Sequence, residues 1–93
     1  MAKRVDLNHT EIIRGLRQAG ALVLDLHELG HGAPDCLAAY GGKLTLLEIK
    51  GAKGKLTVDE CEFCLRWLHH VVAVRTLDEA LAAIGAVESK GER

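Results

Sequence analysis

The 93-residue sequence predicts one small α/β domain, and three observations predict it. A segment with helical spacing opens the chain. Three strand-like runs follow in close succession, the last two separated only by Gly41-Gly42. A capped helix, a short wholly apolar run and a second capped helix then close it. The order is α-β-β-β-α-β-α: a three-stranded meander, then a fourth strand that returns after a helix and can reach the first strands through a crossover.

Each element has its own signal. "DLNHTEIIRGLRQAG" (residues 6–20) places Leu7, Ile12, Ile13 and Leu16 on one side of a helix. Asn8 with Glu11 has the form of an N-terminal capping box, and Gly20 that of a C-terminal stop. "ALVLDLH", Ala21 to His27, reads as a strand. "ELGHGAP" is a loop with the only proline; Gly30 and Gly32 either permit a close backbone approach there or belong to a plain loop. "DCLAAY" and "KLTLLEIK" are strands joined by a tight Gly-Gly turn, a hairpin signal. "GAKGK" is a flexible basic loop. Thr57 and Glu60 form a capping box that opens the helix "VDECEFCLRWLHH". "VVAVR" is apolar enough for the middle of a sheet. Thr76 and Glu79 cap "LDEALAAIG", and the polar tail 87–93 is expected to fray.

Nearly half the residues are hydrophobic, so a core can form without metals or disulfides. A chain of this size still buries only about 60–65% of its extended surface, so modest stability or help from a partner chain is expected. The net charge of −1 names no partner, but its distribution is uneven. Lys3, Arg4, Arg14 and Arg17 face only Asp6 and Glu11, and Lys43, Lys50, Lys53 and Lys55 surround Glu48, whereas Asp59, Glu60, Glu62, Asp78, Glu79, Glu88 and Glu92 collect later. Such a chain can present one basic face. Three cysteines, an odd number, argue against a secreted disulfide scaffold. The N-terminal segment lacks an apolar signal region, and no apolar run has the length of a membrane span. The expectation is a reduced, intracellular protein with no membrane partner.

Asp35, Glu48 and Lys50 stand at the ends of two strands that read as buried. Burying charge is costly unless it is paired or bound to an ion. Residues two apart in a strand share a face, so Glu48 and Lys50 point together, with Ile49 opposite. A turn at Gly41-Gly42 pairs residue 35 roughly with residue 48, bringing the carboxyl-bearing Cβ atoms to about 5 Å. Two carboxylates that close repel unless a cation lies between them. A hard divalent ion suits oxygen ligands, activates water and stabilises charge on a phosphoryl group. Lys50 would then orient the water or stabilise developing negative charge. The competing reading is an ordinary surface ion pair at a sheet edge.

Pro34-Asp35, then Glu48-Ile49-Lys50 about a dozen residues on, resembles the PD-(D/E)XK nuclease signature. More narrowly, Glu11, "GHGAPD", "LLEIK", "KGKLTVDE" and "VAVRTLDEAL" stand in the order found in small phage and bacterial VRR-NUC-type nucleases, and the resemblance runs from Asp6 to Gly85. It implies a restriction-endonuclease-like αβββαβ core, a mixed four-stranded sheet flanked by helices, with a C-terminal helix added. It further implies Asp35 and Glu48 as metal ligands with the Ile49 carbonyl, Lys50 as the catalytic lysine, Glu11 as a supporting acid, and Mg²⁺ as cofactor, with Mn²⁺ able to substitute. The chain departs from the family where many relatives carry a Gln: Cys61 stands there. By the same resemblance the chain would be a homodimeric endonuclease acting on branched or junction DNA, in a bacterial cytoplasm or that of a phage's host.

Other residues have plainer readings. Lys53 and Lys55, directly after the catalytic strand, suit a DNA backbone, and Arg14 and His31 are further phosphate-contact candidates. His9 and His27 read as ordinary polar positions. Cys61 and Cys64 share a helical face with Leu68, the position of small core filler rather than of a zinc site. Three aromatics in all leave little for stacking on single-stranded bases. Two alternatives to the enzyme are carried: a DNA-binding or assembly module of the same fold without useful activity, and a zinc-stabilised interaction domain built on Cys61 and Cys64.

Overall fold

A computed structural model of the chain describes residues 7–86. The expected tail 87–93, the cations Lys3 and Arg4, and the side chain of Leu7 lie outside the described residues. Three helices, α1 (Leu7–Gln18), α2 (Val58–Arg66) and α3 (Leu77–Ile84), accompany four strands, β1 (Leu22–Asp25), β2 (Cys36–Tyr40), β3 (Lys43–Ile49) and β4 (Val71–Val74). The strands form one mixed sheet in the order β1-β2-β3-β4. The first three are antiparallel neighbours, and β4 runs parallel to β3. The element order is the one read from the sequence.

The hairpin forms at Gly41-Gly42. Both glycines have positive φ, 59° and 80°, which a two-residue loop of the right twist requires and which any side chain would resist. The turn fixes the register, pairing Tyr40 with Lys43 and Cys36 with Leu47.

The core lies between one sheet face and the pair α1–α3. Ile12, Ile13 and Leu16 of α1, Ala80 and Ile84 of α3, and Val23, Cys36, Ala38, Leu47, Ile49 and Val74 of the sheet are all buried. The 3.6-residue period of α1 and the two-residue period of β2 and β3 produce this directly.

Three expectations need correction. β4 is an edge strand rather than a central one, because β3 has a free edge and the crossover through α2 lands there. Only Val74 of β4 is buried; Val72 and Ala73 are exposed. Asn8 lies inside α1 instead of capping it, and its Nδ2 donates to the Lys50 carbonyl at 3.1 Å. Finally, α2 stops at Arg66 instead of continuing to His70, and none of its residues is buried. Cys61 is exposed, Cys64 half-buried, and Leu65 and Leu68 open to solvent, so the anticipated core face of this helix is not packed.

The two threonine caps hold. Thr57 Oγ1 accepts from the Glu60 N–H at 3.1 Å, and the Thr57 N–H donates to Glu60 Oε1 at 2.9 Å. Thr76 Oγ1 accepts from the Glu79 N–H at 3.1 Å, while Glu79 Oε1 accepts one residue earlier, from the Arg75 N–H.

Candidate functional site

Asp35 sits where two strands converge. Its N–H donates to the Leu47 carbonyl at 2.9 Å, and its carbonyl accepts from Leu26 at 2.7 Å. Continuing the β2–β3 register by one step sets it opposite Glu48. Its Oδ2 accepts the Ile49 N–H at 2.7 Å, so the Ile49 peptide adjoins the carboxylate pair while the Ile49 side chain is buried in the core.

Glu48 is 3% exposed, which removes the reading of an ordinary surface ion pair. Burial, together with the carboxylates of Asp35 and Glu60, pushes its pKa up to about 9. At neutral pH and without a cation, this carboxyl keeps its proton.

Lys50 is held from several sides. Its Nζ lies 2.9 Å from Glu60 Oε1 and 3.7 Å from Glu48 Oε2. Its backbone N–H donates to Val74 at 3.0 Å, and its carbonyl accepts from Asn8. Burial alone would lower the Lys50 pKa, but Glu60, Glu48 and Asp35 raise it, so the ammonium persists. Burial likewise works against an ionised Glu60, yet bonds from Lys50 and from the Thr57 backbone bring its pKa below the ordinary value.

Glu60 is the α2 residue the sequence reading missed. Attention there fell on Cys61, which is exposed. The capping box already contained the signal: a cap glutamate sits on the first turn, and this turn abuts β3 through Lys50. Gly32 brings that turn close. A Cβ on Gly32 would lie 2.5 Å from the Asp59 carbonyl oxygen, and its φ is +82°. The close approach anticipated in the "GHG" loop thus occurs at Gly32, against the start of α2. Gly30 has open space around it.

On α1, the resemblance pointed to Glu11, but Glu11 is exposed. His9 is the residue turned inward, about 200° away around the helix axis. It is 6% exposed, with Nδ1 3.9 Å from Asp35 Oδ1 and Nε2 3.4 Å from Asp25. Asp25 Oδ1 in turn accepts from the His27 N–H at 3.1 Å and lies 2.9 Å from His27 Nδ1. The two imidazoles meet edge to face, 5.2 Å between centroids. Burial opposes the ionised form of Asp25, but the bonds from His27 and His9 draw its pKa down. His9 and His27 are therefore organised, not ordinary polar positions. Two signals point to this: His9 occupies the i position of the stripe continued by Ile12, Ile13 and Leu16, and Asp25 and His27 are two apart at the end of a strand.

The proposed phosphate contacts are spread around this centre. Lys53 and Lys55 are exposed on the loop after β3, which Arg75 ties down by donating from Nη1 to the Gly51 and Ala52 carbonyls. His31 is exposed with φ of 56°. Arg14 is exposed on a cleft shared with His9, Arg17 and Asp25. Among the described residues, the close group of three ligating side chains is His9, Asp25 and His27, and neither Cys61 nor Cys64 belongs to it.

Two carboxyl groups facing one another, one of them kept protonated by burial and by its acidic neighbours, form an oxygen donor pair suited to a hard cation. A lysine beside them adds a fixed positive charge. No helix among the described residues is long and apolar enough to cross a membrane. Comparison of the chain with protein-family models, with curated proteins and with solved structures finds no match.

Proposed function

We propose that this chain is a metal-dependent DNA endonuclease of the PD-(D/E)XK type, with the restriction-endonuclease-like fold that the family resemblance implies. The observation that carries the reading is the buried Glu48 opposite Asp35, with the Lys50 ammonium 3.7 Å from Glu48. Asp35 and Glu48, with the Ile49 carbonyl, would hold Mg²⁺ or Mn²⁺. When bound, such an ion supplies charge stabilisation and an activated water to phosphodiester hydrolysis. Lys50 places a positive charge where negative charge develops on the phosphate. Glu60 orients Lys50 and keeps it charged. Lys53, Lys55, Arg14 and His31 are the surface that would meet the DNA backbone, through salt-sensitive contacts. Glu11 has no part in the site in this reading; His9 takes the place on α1.

A domain this small has little surface with which to grip a duplex. The sheet face away from α1 leaves Leu22, Leu24 and Leu44 exposed, and apolar patches of this kind mark association surfaces. This supports a homodimer, whose paired sites would suit two-fold branched DNA.

The second reading is a DNA-binding or assembly module on the same fold. The close Lys50–Glu60 pair favours it, since it neutralises much of the lysine's charge.

Cleavage of four-way junction, flap, duplex and single-stranded DNA with Mg²⁺, Mn²⁺ or EDTA tests the proposal. Metal-dependent cutting that falls by roughly 100-fold or more in both Asp35→Asn and Lys50→Ala is the expected result. Binding without cutting, unchanged in both variants, leaves the module.

A further inference from the structure

We propose that His9, Asp25 and His27 form a second cation site, for a divalent transition ion such as Zn²⁺. Its donor set, two imidazoles and one carboxylate, differs from the all-oxygen Asp35–Glu48 pair. Imidazole nitrogen is a ligand that Mg²⁺ sites seldom use and that Zn²⁺, Co²⁺ and Ni²⁺ favour.

The geometry carries the inference. The three ligand atoms lie within 4.8 Å of one another. A tetrahedral ion with 2.0–2.1 Å bonds holds its ligand atoms about 3.3 Å apart. Here His9 Nε2 lies 3.4 Å from Asp25 Oδ1, and His27 Nδ1 lies 2.9 Å from it. Small rotations would fit all three to one ion. The ligands come from three elements: α1, the end of β1 and the loop that follows. An ion there would staple the helix to the sheet end.

His9 is already oriented. Its ring is buried, Nε2 faces Asp25, and Nδ1 points toward Asp35 Oδ1 at 3.9 Å. A metal-bound histidine is commonly steadied by a carboxylate at its other nitrogen, and Asp35 stands on that side. The Asp25 side chain is 39% exposed, on the cleft that also holds Arg14 and Arg17. Three protein ligands with one side open describe a site that keeps a position for water. The inference does not depend on nuclease activity.

The test is Co²⁺ titration of the chelator-treated full chain, followed by visible absorption, with Zn²⁺ as competitor. Native protein, Glu48→Gln, Cys61→Ser/Cys64→Ser and His27→Ala are compared. One Co²⁺ per chain, displaced by Zn²⁺, is expected in Glu48→Gln, and the same tight site in the native chain and the cysteine variant, beside weaker uptake at the Asp35–Glu48 pair, with no sulfur-to-cobalt charge-transfer band. In His27→Ala the affinity should fall at least about tenfold, the loss seen even when an outer-shell partner is removed. Because that variant could misfold, hyperfine-shifted imidazole proton resonances of His9 and His27 in the native Co²⁺ form provide a second readout. No uptake, unchanged affinity in His27→Ala, loss in the cysteine variant, or hyperfine shifts confined to other residues would each overturn the site. DNA cleavage is not read at any point, so failure of the nuclease proposal leaves these outcomes where they are.

Discussion

Both faces of the sheet carry rows of apolar side chains, and the two are finished in opposite ways. On one, α1 and α3 bury Val23, Cys36, Ala38, Leu47, Ile49 and Val74. On the other, Leu22 is 77% exposed and Leu44 67%, and the helix on that side, α2, buries none of its own residues. A groove lined by Pro34, Leu37, Leu46, Phe63 and Trp67 runs between α2 and the sheet. Yet Glu48, on this same open face, is almost wholly covered. Shielding on the open side is therefore strongest over an ionisable residue at the sheet's end. The closed face carries the core; the open face carries the candidate site, which α2 approaches through Lys50–Glu60 and the Gly32–Asp59 contact.

The largest effect that tests this contrast is a pair of truncations. Leu16→Ala, at a fully buried position, should cost about 2–5 kcal/mol in thermal or denaturant unfolding. Leu44→Ala should stay within about 0.5 kcal/mol, as an exposed substitution does. If Leu44→Ala costs as much as Leu16→Ala, and more so at high protein concentration, the open face is covered by a second copy in solution. That outcome would erase the contrast and strengthen the homodimer.

Next comes Gly32→Ala. The new Cβ meets the Asp59 backbone, and the left-handed φ resists any side chain. A loss of about 1–3 kcal/mol is expected. Amide exchange should quicken in α2 while α1 and α3 hold their protection. Uniform loosening of all three helices would show that α2 is integral to the closed side.

The closed half was largely legible in the sequence, because repetition carries it. Ile12, Ile13 and Leu16 at helical spacing, and Cys36, Ala38, Leu47 and Ile49 at strand spacing, reach the core as their periods dictate. The Gly-Gly turn gave the register, and the register faced Asp35 toward Glu48. The open half was harder to read. Whether Cys61, Cys64 and Leu68 are packed depends on how closely α2 approaches the sheet, and no period encodes that distance. Glu60 was recognised as a cap, but its second contact, with Lys50, comes from tertiary placement. His9 was legible and overlooked: a buried polar residue in an apolar stripe needs a hydrogen-bond partner, and Asp25 is that partner.

A smaller effect concerns pH. Glu48 has a folded pKa of about 9 against an ordinary 4.5, so the fold binds its proton more tightly than the unfolded chain does. Its contribution is fully present below about 4.5 and is lost as pH rises toward 9. The metal-free protein should therefore lose several degrees of Tm between pH 5 and 9, since 1 kcal/mol moves a domain of this size by about 4–8 °C. Glu48→Gln should flatten that slope. A divalent cation at the carboxylate pair should offset it as well, and its affinity should rise with pH as it displaces the proton. A slope identical in native and variant protein would assign the loss elsewhere.

The smallest effect separates the two tasks of Glu60. Thr57→Ala removes the cap and should cost about 1 kcal/mol while leaving the Lys50 ion pair in place. Glu60→Gln retains an oxygen for the Thr57 N–H but removes the charge facing Lys50. Its effect on stability should stay below about 1 kcal/mol, the scale of an accessible ion pair. Its effect on Lys50 should be plain, because Glu60 is the chief influence raising that pKa. Titration of the Lys50 Nζ resonance should therefore move down in Glu60→Gln and stay put in Thr57→Ala. Equal titration in both would reduce Glu60 to a cap and leave Lys50 positioned by β3 alone. A downward shift with little change in Tm would show that the first turn of α2 is placed for the charge it presents to the open face more than for the packing it adds.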